Sequence, residues 1–513
     1  MPAPIRRCLL VLLLALLVVA DAPAEVRLPA LFGDHMVIQR DKPAVVWGWA
    51  PPGAEVTVTL AGNEAAATAA DDGRWRVELP AMPTGVGETL TVASGGDTRT
   101  FSDVAIGEVW VCSGQSNMQW PLSASNNGDL EAMTADRADI RLISVPGPGS
   151  QTPKDDFLGA WEPCTPAAAV QFSAVGYHFG QRLADVLDVP IGLIDNAWGG
   201  SAAEAWTPRP LIESEPPLRG IVDTWKAKEA KLDEAAEWAQ HEEYMEKWRR
   251  RVERAKAAGQ RPPEPANHRG DAYGNRRPGN LFNARVAPLI DFPISGVIWY
   301  QGESNASRAA EYRDLFPTMI QAWRDAWRQP SMPFYWVQLA DFRTETSEPV
   351  ESQWAELREA QTMTLDRLDN TGQAVIIDIG EASDIHPRNK TEVGNRLARI
   401  ALARDYDQKV AYASPRFDSM VVEGGKAIVS FKDISQRLKA VDAKQVQGFE
   451  LAGDNGKFVA AEAKVREDNR VEVSSPTVAK PVAVRYAWAD NPVCNLYDAT
   501  GLPVTPFRYP VPE

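Results

Sequence analysis

At 513 residues the chain is too long for one hydrophobic core, so several domains are expected. Its 44% hydrophobic and 24% charged residues are ordinary for a soluble globular protein and exclude a disordered or fibrous one. A formal net charge of −15, with no basic stripe, argues against a nucleic-acid partner because phosphate backbones would be repelled.

The chain opens with Arg6 and Arg7, then the apolar run Cys8–Ala20, then small-x-small sites at Ala20-Asp21-Ala22 and Ala22-Pro23-Ala24. That run is too short to span a bilayer and has the form of a secretory signal peptide over residues 1–24. A secreted or periplasmic protein with no membrane contact after cleavage is therefore expected, an uncleaved anchor being the rival reading. Signal removal leaves Cys112, Cys164 and Cys494. No Cys-x-x-Cys spacing suggests a zinc cage, and in an oxidising compartment a Cys112–Cys164 disulfide is the expected pairing.

Residues 25–105 hold short alternating runs (MVIQR, AVVWGWA, AEVTVTLAG, RWRVELP, ETLTVAS, TRTFSDV) separated by Gly/Pro/Asp clusters, which predict an N-terminal β-sandwich module. Between 106 and 408 the rhythm changes. Apolar runs EVWVCSG, IGLIDNAWGG, SGVIWYQG, PFYWVQLA and AVIIDIGE alternate with helix-length segments at 175–187, 309–328, 354–368 and 390–405. Doubly buried strands alternating with helices predict an α/β core with a parallel sheet, whose ligands bind at the carboxyl ends of the strands. A charge-rich insert over 211–280 predicts a long amphipathic helix or hairpin followed by loop. It has no catalytic group and could form a wall of a cleft. Residues 409–513 return to a strand pattern, a C-terminal β module.

Four blocks fall at the predicted strand ends. Ser116, in Ser113-Gly114-Gln115-Ser116-Asn117-Met118, follows a strand directly and would stand at a strand-to-helix junction, with first-turn N–H groups available to an oxyanion. Met at 118 departs from the Gly-x-Ser-x-Gly elbow of α/β-hydrolases. Gly199 and Gly200 permit close approach of backbone to a ligand, and equally a plain tight turn. In Gln301-Gly302-Glu303-Ser304-Asn305, Asn305 is a candidate oxyanion donor and Glu303 a candidate for substrate hydroxyls or a helix cap. His386, on a loop ahead of a helix, is the candidate general base. His35 and His178 read as packing positions, while His241 and His268 fall in the insert.

In combination, WVCSGQSNMQWPL, WGGSAAEAW, GVIWYQGESN and DIHPRNK resemble the sialate O-acetylesterase family within the SGNH hydrolases. The flanking PALFGDHMVIQRDKPAVVWGWA and NLYDATGLPVTPFR are similar to that family's ends. The resemblance implies an SGNH-hydrolase-like core and acyl transfer through an acetyl-enzyme, without metal or organic cofactor. Ser116 matches the nucleophile, His386 the base, and Gly199 or Gly200 and Asn305 the oxyanion hole. Asp384 stands two residues before the His rather than three, so it either completes a triad or leaves a Ser–His dyad. Gln115, Trp198, Gln301 and Glu303 are the expected substrate contacts. Trp120, Trp198, Trp206 and Trp299 are possible sugar platforms. Arg285, Arg358 and Arg388 are available for a sialate carboxylate, or are solvated helix residues. The expected partner is an acetylated carbohydrate. The alternatives are an acetylated xylan or xyloglucan oligosaccharide as substrate, a carbohydrate-binding surface protein with a vestigial site, or a non-sugar lipase.

Overall fold

The computed structural model describes residues 25–510 except 264, 266 and 269; the expected signal peptide lies outside the described residues. Its centre is a mixed sheet ordered, by strand, Thr371–Ala374, Phe334–Val337, Gly296–Tyr300, Asp97–Gly114, Ile191–Ala197, Arg137–Ser144 and Glu162–Cys164. All neighbouring pairs in this path are parallel except the last, which is antiparallel.

Strand alternation divides the core. Val297 and Trp299 face one side, against the helix Ala309–Ala326, while Ile298 and Tyr300 face the helices Ala174–Leu187 and Lys390–Arg404. Every residue of Gly296–Tyr300 is buried, the pattern of a parallel strand covered on both faces.

The strand Asp97–Gly114 joins two regions. Residues 97–103 alternate in exposure and pair with Gly85–Ser94, while 104–114 are buried throughout and form the middle of the central sheet. The sequence reads this segment as two strands, with a boundary near 105. It is one strand of 18 residues, and that boundary falls inside it.

Two strand expectations change. Asn63–Thr68 is an additional strand, poor in β-formers but paired with Glu55–Leu60 across a turn in which Ala61 (φ 48) and Gly62 (φ 77) are both left-handed. The run at 374–381 contributes only Ala374 to the strand Thr371–Ala374. Beyond it Arg396 takes the Val375 carbonyl (2.6 Å) and the Asp378 carboxylate (2.7 and 2.8 Å), so the backbone leaves the sheet.

The insert contains the helices Arg219–Glu229 and Glu234–Ala257 with a break between them. The C-terminal region carries two four-stranded sheets and a two-stranded ribbon around its own apolar cluster. Among the described residues no helix is long and apolar enough to cross a membrane.

The expected disulfide is not formed: Cys112 and Cys164 are both free and buried. Their strands lie three places apart in the sheet, about 14 Å, beyond any disulfide's reach.

Candidate active site

Register brings the blocks together. Gly114 pairs with Ala197 on one side and Tyr300 on the other, so three strand ends meet at one edge. A Cβ on Gly114 (φ 134) would lie 2.2 Å from the Tyr300 carbonyl oxygen, so only glycine permits this approach. Gln115 is extended and donates its N–H to Tyr300 O at 2.9 Å, and Ser116 then starts the helical turn Ser116–Gln119. The nucleophile candidate therefore stands at the carboxyl edge of the central strand.

His386 arrives from the irregular segment after Ala374. Its Nε2 lies 2.9 Å from Ser116 Oγ. The imidazole stacks on Trp120, ring centroids 4.8 Å apart and planes 15° apart. Asp384 Oδ1 accepts the His386 backbone N–H at 2.9 Å and lies 3.5 Å from Nδ1, a loose contact for a triad acid. Burial lowers the His386 pKa, Asp384 draws it up, and the Lys390 cation lowers it further. The net direction favours the neutral imidazole that a general base requires.

The Gly turn packs on Ser116. A Cβ on Gly199 would meet Ser116 Cβ at 3.4 Å. The Gly199 N–H donates to Gln119 Oε1 at 2.8 Å, and its carbonyl accepts from Asn275 Nδ2 at 2.5 Å. Gly200 is left-handed (φ 74), and Arg276 Nε donates to its carbonyl at 3.4 Å.

Several expected contacts prove internal. Asn305 is 1% exposed. Its carbonyl oxygen accepts from Ala203 N and Gln301 Nε2, and its amide donates to Glu204. Both ends hold the segment after the Gly turn, and the Glu204 contact uses one of the two amide N–H groups. Gln301 is fully buried, donating to Ser201 O and Asn305 and accepting from Tyr312 Oη. Gln115 is buried, with its side-chain oxygen turned to the N–H groups of Gly302 and Ser304. Glu303 accepts from Asn117 at 2.6 Å, and burial raises its pKa. These four build the floor of the site.

The aromatic and basic candidates sort the same way. Trp206 and Trp299 are core residues packed edge to face at 5.8 Å. Trp198 is buried beneath the Arg285 guanidinium at 4.5 Å, so of the four Trp candidates Trp120 alone keeps partial exposure. Arg285 and Arg358 are buried, not solvated. Arg285 donates to Ala197 O, Gly147 O and Asn267 Oδ1, and Arg358 to the carbonyls of Leu339, Ala340, Ala489 and Asp490. Arg388 is exposed and paired with Glu381.

Sequence reasoning assigned no role to Asn117, Gln119 or Lys390. Each lies inside or beside a motif already singled out, which was the available signal, but their partners come from other blocks. Lys390 donates to Asn117 Oδ1 at 2.5 Å, and burial brings its pKa down to about 7.

Residues 279–403 match the family model described as carbohydrate esterase, sialic acid-specific acetylesterase. The chain is 28% identical to a sialate O-acetylesterase of Mus musculus, covering 97% of each chain. It is likewise 28% identical to one of Homo sapiens, covering 97% of this chain and 95% of that one. A carbohydrate acetylesterase from Xanthomonas citri superposes with a TM-score of 0.79 at 37% identity, over 94% of this chain and 99% of that one.

Proposed function

Because the chain belongs to the sialic acid-specific acetylesterase family of carbohydrate esterases, we propose that it hydrolyses acetyl esters on sugars through a serine-bound acetyl-enzyme. The observation that carries the reading is the 2.9 Å contact between His386 Nε2 and Ser116 Oγ. His386 takes the Ser116 proton as Oγ attacks the acetyl carbonyl, and returns it to the sugar oxygen as that bond breaks. Water activated by His386 then releases acetate. The oxyanion is met by first-turn N–H groups of the nucleophile helix and by the Gly199–Gly200 turn. Asn305 supports that turn and has a second amide N–H to offer the oxyanion, and Asp384 acts as a loose partner of the imidazole.

The reading extends to the whole chain. Residues 1–24 are taken as an export signal, placing the enzyme in the periplasm or outside the cell. Residues 25–105 and 409–513 are taken as β-sandwich modules flanking a catalytic domain at 106–408, with its helical insert at 211–280.

A sialate 9-O-acetyl ester is the first substrate reading. A neutral acetylated polysaccharide, such as a xylan or xyloglucan oligosaccharide, gains from one observation. Of the three arginines considered for a sialate carboxylate, two are spent on backbone carbonyls and the third is paired with Glu381. Acetate release from 4-nitrophenyl acetate, O-acetylated sialic acid and acetylated xylo-oligosaccharides, by wild type and Ser116→Ala, tests both points. Release by wild type and not by the variant supports the serine mechanism, and the preferred sugar fixes the class. Equal release by both proteins would overturn it.

A further inference from the structure

Asp384 is a weak anchor for the catalytic imidazole: it lies 3.5 Å from Nδ1, and its side chain is 43% exposed. A tighter grip acts on the preceding peptide. Asn117, the second residue of the nucleophile's helical turn, is 1% exposed, and its Nδ2 donates to the Ile385 carbonyl at 3.0 Å. The same Nδ2 donates to Glu303 Oε1 at 2.6 Å, and Oδ1 accepts from Lys390 Nζ at 2.5 Å. Below its pKa of about 7 the Lys390 ammonium can only donate, and the Glu303 carboxylate accepts, so the pair fixes which end of the carboxamide faces which way.

The three side chains come from three blocks: the nucleophile turn, the turn after Gly296–Tyr300, and the first residue of Lys390–Arg404. Lys390 is fully buried, its Nζ 5.2 Å from the Tyr300 ring centroid and 6.0 Å from that of Trp120, on which His386 stacks. Glu303 Oε2 is buried without a hydrogen-bond partner. Burying two charges around one amide is costly, and an apolar filling would serve packing better. The arrangement is intelligible if fixed geometry is what it supplies.

Resting on the serine-esterase reading above, we propose that Asn117, pinned by Lys390 and Glu303, is the positioning residue that sets His386 over Ser116 by gripping the loop at the Ile385 carbonyl. The imidazole then has two supports besides Asp384: the Trp120 ring at its face and the Asn117 amide at its backbone. Lys390 acts on His386 by charge as well. The acidic neighbours of Lys390 are Glu303, Asp384 and Glu381, and the charged neighbours of His386 are Asp384 and Lys390.

The test is 4-nitrophenyl acetate hydrolysis across pH by wild type, Ser116→Ala, Asn117→Ala, Asn117→Asp and Lys390→Met, with folding followed by circular dichroism. Asn117→Asp is close to isosteric, and its carboxylate can pair with Lys390, but an oxygen then replaces Nδ2 opposite both Ile385 O and Glu303 Oε1, leaving at most one shared proton where two donations stood. It therefore decides the matter if Asn117→Ala fails to fold. Both Asn117 variants should lose about 100-fold in kcat with KM changed by less than about threefold, the penalty of a displaced catalytic group. Lys390→Met should shift the acid limb of kcat/KM to higher pH, since removing a nearby cation raises the His386 pKa. A folded Asn117→Asp protein within about threefold of wild-type kcat overturns the proposal, as does an acid limb unmoved in Lys390→Met. Full activity in Ser116→Ala would instead overturn the serine reading itself.

Discussion

The Gly199 backbone N–H donates to the side-chain oxygen of Gln119 at 2.8 Å, so the expected oxyanion donor is already occupied by a residue three places after the nucleophile. A substrate carbonyl seeking that N–H has to displace an amide that is only half-buried. A typical net hydrogen bond is worth about 0.5–1.5 kcal/mol, which sets the size of the effect. Gln119→Ala is expected to raise kcat/KM on a small acetate ester by about 2- to 10-fold, read by steady-state kinetics. A fall of similar size would show that Gln119 holds the substrate instead of blocking the donor.

The pH profile tests the imidazole. In the proposed mechanism His386 is neutral when it takes the Ser116 proton, so kcat/KM should fall as pH drops through a pKa below the ordinary histidine value of 6.5, burial being the main cause. Asp384 pulls that pKa upward, so Asp384→Asn should move the acid limb to lower pH, opposite to the shift expected of Lys390→Met. Because the carboxylate sits 3.5 Å from Nδ1, the rate loss should be about 10- to 100-fold, short of the ~10⁴ of a tight triad. An unmoved limb with an unchanged rate would leave a Ser–His dyad.

Much of the site was legible because its chemistry sits in short contiguous blocks. Ser116 and His386 are 270 positions apart, yet each lies in a short polar block that follows an apolar run, Ser116 at a strand end and His386 in the irregular segment beyond Ala374. What stayed hidden depends on long-range partners. Nothing local tells that Asn305 is bound to Glu204, or that Trp206 and Trp299 pack into each other. The expected Cys112–Cys164 bridge failed for the same reason, since strand order places them three strands apart. Arg358 looked like a solvated helix residue because periodicity does not show which loop will cover a helix face.

Arg358 makes a stability prediction. Its guanidinium joins the carbonyls of Leu339 and Ala340, at the end of a central strand, to those of Ala489 and Asp490 from the C-terminal region. Burial lowers its pKa to about 10, which leaves it charged at neutral pH. Arg358→Met removes every one of these donors and leaves the Leu339 and Ala489 carbonyls unpaired, while Ala340 keeps Trp354 Nε1 and Asp490 keeps the Phe342 N–H, a loss of about 2–5 kcal/mol. Urea unfolding should show a lower midpoint, with the C-terminal strands exchanging amide protons first. A midpoint within error of wild type would mean that water or rearranged backbone replaces the guanidinium.

The insert makes the last prediction, because its charge pattern hid a link to the Gly turn. Glu229 and Glu234, from its two helices, each bind Arg277 at 2.8 Å, and Glu237 accepts the Ala272 N–H at 3.0 Å. These contacts fix the loop that carries Asn275, whose Nδ2 holds the Gly199 carbonyl and whose own carbonyl accepts from Ala202 N at 3.2 Å. The insert helices thus brace the peptide that lies against Ser116, through a buried arginine and one asparagine. Asn275→Ala should lower kcat about 10-fold while leaving the unfolding midpoint nearly unchanged, because the lost contact orients a turn and buries little. Arg277→Ala should lower both, since it also takes the arginine from Glu234 and leaves Glu229 with Arg209 alone. Unchanged kcat in both variants would reduce the insert to a wall of the cleft.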